Sequence, residues 1–405
     1  MHVTHLAWKG WRLLNNRLPL FYAVTALYWF STYTYVPLLS PYVVALGGSL
    51  SMAGMVVGSY GFSQMLVRVP IGVWSDKIRS RKPFVIAGGA MGMLSSLGFA
   101  ITHSVAAALV FRLLAGIAAG CWVVFTVLYA SYHEPHEAPK AMGILSFYTS
   151  IGQLAASTLG GLWAEHHGWH AAFWLGAAGG LAATVLACFV VDKPPARDHG
   201  GIRVGEMLAV GRDRIVLGVS CLAVLAQVVT FTTMFGFSPE QATQLGANKA
   251  DLSWLTLAAT LPNAVASYFS GSLFARWIGE RNVVAFGFAI AALFTASIPL
   301  CHTLTLLYVT QAINGFGQGL CMPVLMGLAI RHIEADRRAT AMGFYQAIYA
   351  VGMFGGPAVV GWLGDLVGLS RGFWAVAAVS AAACALTYAL APASGARRQV
   401  ITRSS

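Results

Sequence analysis

Apolar residues fill the chain in runs of about 20 residues, and polar residues collect in the short stretches between those runs. A run of this length can cross the roughly 30 Å hydrocarbon core of a bilayer as a helix. Peptide groups surrounded by lipid must hydrogen-bond within their own segment, so the runs predict helices rather than isolated strands. We count twelve runs, centred near residues 32, 63, 93, 118, 152, 181, 227, 263, 292, 317, 351 and 382.

The second half of the chain repeats the first at a spacing of 200 residues. Residues 141–143 and 341–343 both read Ala-Met-Gly, and matches follow at positions 152, 161, 165, 168 and 173–174 with their counterparts. Duplicated halves in a membrane are typical of solute carriers. The repeat predicts an all-α integral membrane protein with twelve transmembrane helices in two pseudo-symmetric six-helix bundles. We place these bundles at residues 1–191 and 215–405, with a cytoplasmic linker at residues 192–214.

Charge is scarce and unevenly placed. Charged residues make up 10% of the chain and hydrophobic residues 57%, whereas about a quarter of an average soluble domain is charged. The net charge of +11 comes from lysines and arginines that lie mostly in the two tails and in the even-numbered loops. The positive-inside rule then predicts a multi-pass protein of the cell membrane with both termini in the cytoplasm. The charge marks topology, and no nucleic-acid partner is expected.

The sequence has no pattern typical of a metal site, a nucleotide site or enzyme chemistry. Its six cysteines lie in or beside apolar runs without the close spacing of metal ligands. The phosphate-binding pattern Gly-x-x-x-x-Gly-Lys-Ser/Thr is absent, and no nucleophile–base pair stands at membrane depth. We therefore predict a protein that is not an enzyme and that uses no cofactor or metal.

The loop after the second apolar run carries the most specific motif. Residues 72–83 read Gly-Val-Trp-Ser-Asp-Lys-Ile-Arg-Ser-Arg-Lys-Pro. This segment resembles the signature loop of the major facilitator superfamily, Gly-x-x-x-Asp-(Arg/Lys)-x-Gly-(Arg/Lys)-(Arg/Lys). Arg79 replaces the usual glycine, and Ser80 replaces a usual basic residue. In the family this loop is a conformational latch on the cytoplasmic side, a role that the resemblance gives to Gly72, Asp76, Lys77 and Arg81.

The second half repeats the latch loop in residues 271–281, where Ala275 stands at the position of Asp76. Arg68 lies eight residues, about 12 Å of helix, before Asp76, and we expect it to pair within the latch. The resemblance implies a secondary transporter that works by alternating access around a midplane site between its halves. We expect a small-molecule solute and membrane lipid as its partners and a monomer as its working form.

Arg112 lies well inside an apolar run, where an ionisable group costs several kcal/mol unless it has a task or a partner. Residues 112–120 resemble the family motif Arg-x-x-x-Gly-x-x-x-Gly/Ala, whose arginine is tied to coupling in proton-linked members. We favour a coupling or substrate role for Arg112; the alternative is a structural arginine bonded to helix-end carbonyl groups. Gly116 and Gly120 are spaced for close helix packing.

The tenth run places Gln311, Asn314 and Gln318 on one helix face. Such groups either line a solute path or bond across helices, and we predict that this stripe contacts solute. Further candidates for the same cavity stand on other helices: Tyr28, Tyr35, Gln64 and Gln346.

Carboxylates are missing from the middle of the runs, and those nearest the membrane are expected to be Asp76, Glu165 and Asp365. An acid-poor, positively charged cavity favours an anionic or neutral solute over an organic cation.

The direction of transport is read from helix 5, where exporters of the family carry Gly-x-x-x-Gly-Pro-x-x-Gly-Gly. This chain has Ala156-Ser157 at the Gly-Pro position and keeps the pair as Gly356-Pro357 on helix 11, where we expect a hinge or packing site. This arrangement slightly favours a drug or metabolite exporter, with proton antiport implied by the resemblance. The alternative is an uptake or exchange carrier for a small organic anion paired to Arg112.

Overall fold

The computed structural model describes residues 18–134, 138–192, 211–333 and 338–392, and the regular structure in these ranges is helical. The first half contains α1 (Leu18–Tyr33, resumed as Leu39–Ala45), α2 (Leu50–Ile78), α3 (Lys82–Ile101), α4 (Val105–Gly120, resumed as Trp122–Ala130), α5 (Ala138–His167) and α6 (Trp169–Ala187). The second half contains α7 (Arg214–Thr232, resumed as Ser238–Gln244), α8 (Lys249–Phe269, resumed as Ala275–Ile278), α9 (Glu280–Ser297), α10 (Leu304–Ile330), α11 (Arg338–Val367) and α12 (Leu369–Leu390).

These twelve helices coincide with the twelve apolar runs, which confirms the predicted all-α membrane fold. Within the described ranges, nine helical spans are long and apolar enough to cross a membrane. Helix α1 is not one of them because the 3₁₀ turn Val36–Leu38 divides it. A spanning helix needs about 20 residues, a length that α1 reaches only through both of its pieces.

The first helix of each half is interrupted at an equivalent place. In α1 the turn Val36–Leu38 comes before a Ser-Pro pair at residues 40–41, and in α7 the π turn Thr233–Phe237 comes before a Ser-Pro pair at residues 238–239. Proline has no N–H group to donate to the carbonyl group four residues earlier, so a regular helix does not run unbroken through it. Pro239 instead stands in the first turn of a new helical piece, where no donor is needed.

Two pairs of glycines explain part of the 200-residue repeat. Gly168 and Gly368 have φ angles of 84° and 90°, in the left-handed region that glycine adopts without strain, and each joins two helices. A Cβ at Gly152 or Gly352 would collide with a backbone carbonyl oxygen of α1 or α7, respectively. The repeated glycines are therefore turns and close helix crossings, built alike in both halves.

The chain divides into two compact units. The first unit comprises Met1–Val36 and Leu66–Gly201, and the second comprises Pro37–Met65 and Ile202–Ser405. The boundary passes through α2, whose first half belongs to the second unit. The domain limits at residues 191 and 215 stay a prediction, and residues 193–210 of the predicted linker lie outside the described residues, as do both termini.

Each unit has its own buried core. In the first unit, rings of α1 and α4 pack together, with centroids 4.6 Å apart for Tyr28 and Phe125 and 5.3 Å apart for Phe21 and Tyr129. In the second unit, a mainly aliphatic core joins α7, α9, α10 and α12. Lipid is as apolar as these side chains, so close van der Waals packing holds the helices together more than removal from water does.

Candidate functional site

Arg112 and Tyr35, two of the predicted site residues, come together in the first unit. Arg112 on α4 is 3% exposed, and its guanidinium carbon lies 5.6 Å from the centre of the Tyr35 ring. The electron-rich face of an aromatic ring attracts a cation, most strongly where water is excluded. The charge of Arg112 is therefore held over an aromatic surface inside the unit.

A chain of hydrogen bonds orients the Tyr35 ring. Ser95 on α3 donates its hydroxyl hydrogen to the Phe111 carbonyl oxygen at 2.7 Å. The Tyr35 hydroxyl, 3.2 Å from Ser95 Oγ, must then be the donor to Ser95, because a serine hydroxyl has a single hydrogen. Phe111 directly precedes Arg112, so this chain ties the aromatic ring to the turn of α4 that carries the arginine.

Tyr28 packs in a different part of the first unit. Its hydroxyl donates to the carbonyl oxygen of Ala118, close to the point where α4 is interrupted. The ring lies 4.6 Å from that of Phe125, and the rings of Trp29 and Trp122 are 5.1 Å apart. We name Tyr28, Trp29, Trp122 and Phe125 the aromatic cluster. Its Trp29 Nε1 is buried and has no hydrogen-bond partner in the described part of the chain.

The three polar residues predicted on one face of α10 are buried in the second unit, and two of them, Asn314 and Gln318, are hydrogen-bonded there; we name Gln311, Asn314 and Gln318 the amide row. Asn314 donates from Nδ2 to Thr295 Oγ1 on α9 at 3.2 Å and accepts from Gln318 Nε2 at 2.9 Å. Gln318 Nε2 also donates to Thr233 Oγ1, in the π turn of α7, at 3.2 Å. The amide row therefore links α7, α9 and α10.

Two atoms of the amide row are left without partners. Gln311 Nε2 and Gln318 Oε1 are buried, and neither has a hydrogen-bond partner among the residues that the structure describes. A buried polar atom without a partner costs roughly 1–3 kcal/mol, a cost that a bound polar group removes.

Of the other predicted amides, Gln64 is buried in the second unit and Gln346 on α11 is half-buried. Neither belongs to the hydrogen-bonded row.

Glu240 is a buried carboxylate that was not predicted from the sequence. It lies in the second piece of α7, within the apolar span Arg214–Gln244, and is 6% exposed. The expectation that the carboxylates nearest the membrane are Asp76, Glu165 and Asp365 is therefore wrong. The sequence signal for this position is the Ser-Pro pair directly before Glu240. Proline is well suited to the first turn of a helix, so a new helical piece begins there and Glu240 stays within the apolar span.

The latch loop between α2 and α3 keeps a left-handed residue at the family's glycine position. Arg79 has a φ of 56°, in the region that glycine adopts without strain. Ser80 donates from Oγ to one carboxylate oxygen of Asp192 at 2.5 Å, and the amide of Arg81 donates to the other at 3.1 Å. Asp192, at the start of the predicted linker, therefore binds the latch loop.

The other predicted latch residues differ in their surroundings. Arg68 and Arg81 are buried and Lys77 is exposed. A Cβ at Gly72 would meet no described atom within 4 Å, so this glycine is not at a close helix crossing in this structure. The side chain of Asp76 lies outside the described residues, and the pairing of Arg68 within the latch stays a prediction.

The predicted packing glycines of α4 and α11 lie in tight places. A Cβ at Gly120 would stand 2.5 Å from a methyl carbon of Val67 on α2, and one at Gly356 would stand 2.8 Å from Thr232 Oγ1 on α7. Gly116 is buried on α4. Gly120 and Gly356 therefore let neighbouring helices approach closely.

The first half of α2 lies against α11 within the second unit. Pro357 is inside α11, and its carbonyl oxygen lies where a Cβ on Gly54 would be. Asp365 accepts hydrogen bonds from the amides of Leu50 and Ser51, at 2.9 Å each. The first amides of a helix have no partner within it, and a carboxylate both satisfies them and suits the positive end of the helix dipole. Asp365 therefore caps α2.

Known proteins resemble this chain along most of its length. A family model described as Major Facilitator Superfamily matches residues 21–239 and 219–404. Inner membrane transport protein YajR of Escherichia coli strain K12 is 26% identical over 344 residues, which cover 82% of this chain and 73% of that protein. Multidrug resistance protein 1 of Bacillus subtilis strain 168 is 22% identical over 342 residues, which cover 82% of this chain and 86% of that protein.

The fold is also similar to a solved structure. A bacterial homologue of the human lysosomal transporter Spinster, inward-facing and unoccupied, aligns with a TM-score of 0.79 and 15% identity, covering 93% of this chain and 96% of that chain. Together with the twelve apolar helices, these relatives identify a multi-pass membrane transporter rather than an enzyme. The chain belongs to the Major Facilitator Superfamily.

Proposed function

We propose that this transporter is a proton-coupled exporter of amphiphilic organic compounds that works by alternating access. The observation that carries the proposal is the pair of buried, unsatisfied atoms in the amide row, Gln311 Nε2 and Gln318 Oε1. One is a hydrogen-bond donor and the other an acceptor. They suit a solute that has both kinds of polar group, such as a carbonyl oxygen together with an N–H or O–H group.

The spacing of these two residues indicates the size of the solute. Gln311 and Gln318 are seven positions apart on α10, which is about 10 Å along a helix. A solute that contacts both is therefore an organic molecule of about two fused rings or more, rather than an inorganic ion.

The first unit supports an amphiphile through its aromatic cluster. Tyrosine, tryptophan and phenylalanine rings bind flat apolar groups over a large area, and the buried Nε1 of Trp29 adds a hydrogen-bond donor. Export is favoured by the name of the Bacillus subtilis relative, Multidrug resistance protein 1.

A carrier that takes up or exchanges a small organic anion is the second candidate, and Arg112 is the observation that favours it. The buried guanidinium over the Tyr35 ring is a positive charge inside the first unit, and such a charge attracts an anionic solute. Under this alternative, the anion pairs with Arg112 and protons move in the same direction as the solute.

Flux in proteoliposomes distinguishes the two candidates. We choose norfloxacin as the probe because it is a fluorescent amphiphile with a carboxylate. Vesicles that are acidic inside should accumulate it above the level of protein-free liposomes if the protein exchanges solute for protons. Accumulation only when the outside is acidic would support the anion carrier, and equal accumulation under both gradients would contradict proton coupling.

The amide row is tested in the same vesicles by a double variant, Gln311→Leu with Gln318→Leu. The loss of two hydrogen bonds of about 1 kcal/mol each should raise the norfloxacin concentration for half-maximal flux by roughly tenfold or more. Asn282→Leu is the matched control, because Asn282 is an exposed amide at the start of α9. An unchanged half-maximal concentration in the double variant would contradict a solute contact at the amide row.

A further inference from the structure

Glu240 is a buried carboxylate, and solute binding at the amide row does not explain why a carboxylate is buried there. Of the aspartates and glutamates whose side chains the structure describes, Glu240 is the one that is buried. Its Oε2 has no hydrogen-bond partner in the described residues, and the Gln244 side chain, one turn later, supplies a hydrogen bond to the carboxyl group. An ionised carboxylate in such surroundings is strongly disfavoured unless a cation neutralises it.

The neighbouring elements do not surround Glu240 with charge. The second piece of α7 packs against the second piece of α1, the π turn, the first piece of α8 (Lys249–Phe269) and the turn Ile298–Leu300. Burial and the Gln244 hydrogen bond are the interactions that act on the carboxyl group. Tyr268 is 77% exposed, and Asp251 is bonded to the Asn248 amide in the capping box of α8. The titratable and charged side chains on these packed elements are Tyr42, Lys249, Asp251 and Tyr268.

The first half of the chain shows that packing at this place does not require a carboxylate. After equivalent breaks, α1 resumes with Ser40-Pro41-Tyr42 and α7 resumes with Ser238-Pro239-Glu240. Tyr42 and Glu240 are both buried. The tyrosine fills its position with an apolar ring and a neutral hydroxyl group, whereas the glutamate brings a group that can lose a proton.

The π turn of α7 connects Glu240 to the amide row. Thr233, the first residue of this turn, accepts a hydrogen bond from Gln318 and donates one to the Val229 carbonyl oxygen at 2.8 Å. Single π turns within α-helices are frequent at functional sites. A solute that donates to Gln318 Oε1 binds the same amide group whose Nε2 contacts Thr233, so solute binding and the position of the second piece of α7 can influence each other.

We propose that Glu240 is the residue that carries the coupled proton, an inference that rests on the proposed proton-coupled export. In the enclosed state the carboxyl group keeps its proton, because the neutral form is favoured where water is excluded. When the site opens to the cytoplasm and solute binds, the second piece of α7 moves and water reaches Glu240; the O–H bond breaks, the electron pair stays on the carboxylate oxygen, and the proton passes to cytoplasmic water. After the solute has left on the outer side, the carboxylate takes a proton from the water there and the empty site closes with its carboxyl group neutral, so protons enter as solute leaves.

Glu240→Gln tests this inference, because it keeps the shape of the side chain but has no proton to release at physiological pH. In proteoliposomes, the variant should lose norfloxacin accumulation driven by an acidic interior by at least about tenfold, a typical size for coupling between two sites. Exchange of labelled for unlabelled norfloxacin without a pH gradient should stay within about threefold of wild type, since exchange needs no net proton movement. Glu134→Gln, at an exposed position after α4, is the matched control.

The outcomes separate this inference from the proposed function. Gradient-driven accumulation by Glu240→Gln at the wild-type rate would overturn the role of Glu240 and leave proton-coupled export intact. If wild type exchanges norfloxacin but ignores the pH gradient, proton coupling and the role of Glu240 fail together. If Glu240→Gln and Glu240→Asp both lose exchange as well as accumulation, Glu240 is a packing residue and the inference is overturned.

Discussion

Helices α4 and α10 are the fourth helices of the two halves, and they bury polar groups in opposite ways. In α4 a single charge, on Arg112, lies over the ring of Tyr35. In α10 three neutral amides are buried, and two of them, Asn314 and Gln318, are hydrogen-bonded to each other and to threonines of α9 and α7. A buried charge costs more than a buried amide, so it needs a shielding surface, whereas amides need only well-placed partners. The repeated scaffold thus buries a charge on the fourth helix of one half and neutral hydrogen-bonding groups on the fourth helix of the other.

The largest expected effect is that of Arg112→Leu. If Arg112 serves coupling or solute binding, norfloxacin flux should fall by at least about tenfold. The melting temperature should hold or rise, because replacing a buried charge with an apolar group of similar volume is often neutral or stabilising. Flux in proteoliposomes and thermal unfolding in detergent measure the two quantities.

The two readouts decide between the alternatives for Arg112. A structural arginine predicts that flux and melting temperature fall together in Arg112→Leu. Tyr35→Phe, which keeps the ring under the guanidinium and removes only the hydrogen bond to Ser95, should retain most of the flux. Tyr35→Leu should lose considerably more.

Asn314→Leu comes next, because Asn314 is at the centre of the amide row. Its removal leaves Thr295 without a donor and takes one of two partners from Gln318, and it should lower the free energy of unfolding by about 1–3 kcal/mol. The shift in melting temperature against the exposed control Asn282→Leu measures this cost. An equal melting temperature in the two variants would contradict a hydrogen-bonded row.

The start of α7 provides a test with a smaller expected effect. This effect depends on pH because the group concerned is a carboxylate, Asp213. Asp213 accepts hydrogen bonds from the Ile215 and Val216 amides and lies 3.0 Å from His332. Partial burial acts to raise the pKa of Asp213, but the Val216 amide, His332 and the Ile215 amide outweigh it and hold the pKa below its ordinary value. The carboxylate therefore stabilises the folded state above the ordinary pKa of about 3.9, and this stabilisation is lost as the pH falls through the lower folded pKa.

Asp213→Asn isolates that charge, because asparagine is also a good cap. Wild type should melt at a higher temperature than Asp213→Asn near neutral pH, and the gap should close as the pH falls below about 4. Melting curves across this pH range measure the gap. A gap that is independent of pH would assign the effect to the shape of the side chain rather than to its charge.

The smallest effect is expected where the two latch loops differ. Arg79 and Gly279 occupy equivalent turns, with φ angles of 56° and 83°. A residue with a Cβ costs roughly 1–2 kcal/mol in the left-handed region, a cost that glycine avoids. Part of this advantage of glycine is offset because glycine has more conformational freedom in the unfolded chain. Arg79→Gly should therefore be more stable than Arg79→Ala by about 1 kcal/mol, measured as a difference in melting temperature. Equal stability would mean that the turn relaxes around the Cβ.

Much of the fold could be predicted because its signals are local. The apolar runs placed all twelve helices, and the 200-residue repeat identified glycines such as Gly168 and Gly368 that the structure places in left-handed turns. The spacing of Gln311, Asn314 and Gln318 correctly put them on one buried face, because the helical period alone decides which residues share a side.

The contacts of the site could not be predicted in the same way. The sequence predicts that Asp192 begins a linker, and the structure shows its carboxylate bound to Ser80 and the Arg81 amide. Tyr28 was a candidate for solute contact, and its hydroxyl group donates to the Ala118 carbonyl oxygen. Each of these partners is distant in the chain, so the pairing depends on how helices cross and not on the neighbouring sequence.

The sequence by itself determined that this chain is a duplicated membrane protein of twelve helices, with arginines and a stripe of amides inside their apolar runs. The period of the hydrophobic positions, the repeated glycines and the charges of the loops are properties of short segments. They do not depend on which other segments pack against them. Only the tertiary structure decided that Arg112 lies on Tyr35, that Gln318 contacts the π turn of α7, and that Glu240 is enclosed. Burial and partner choice arise when distant helices meet, because only that contact sets which polar groups lose water and which gain a partner.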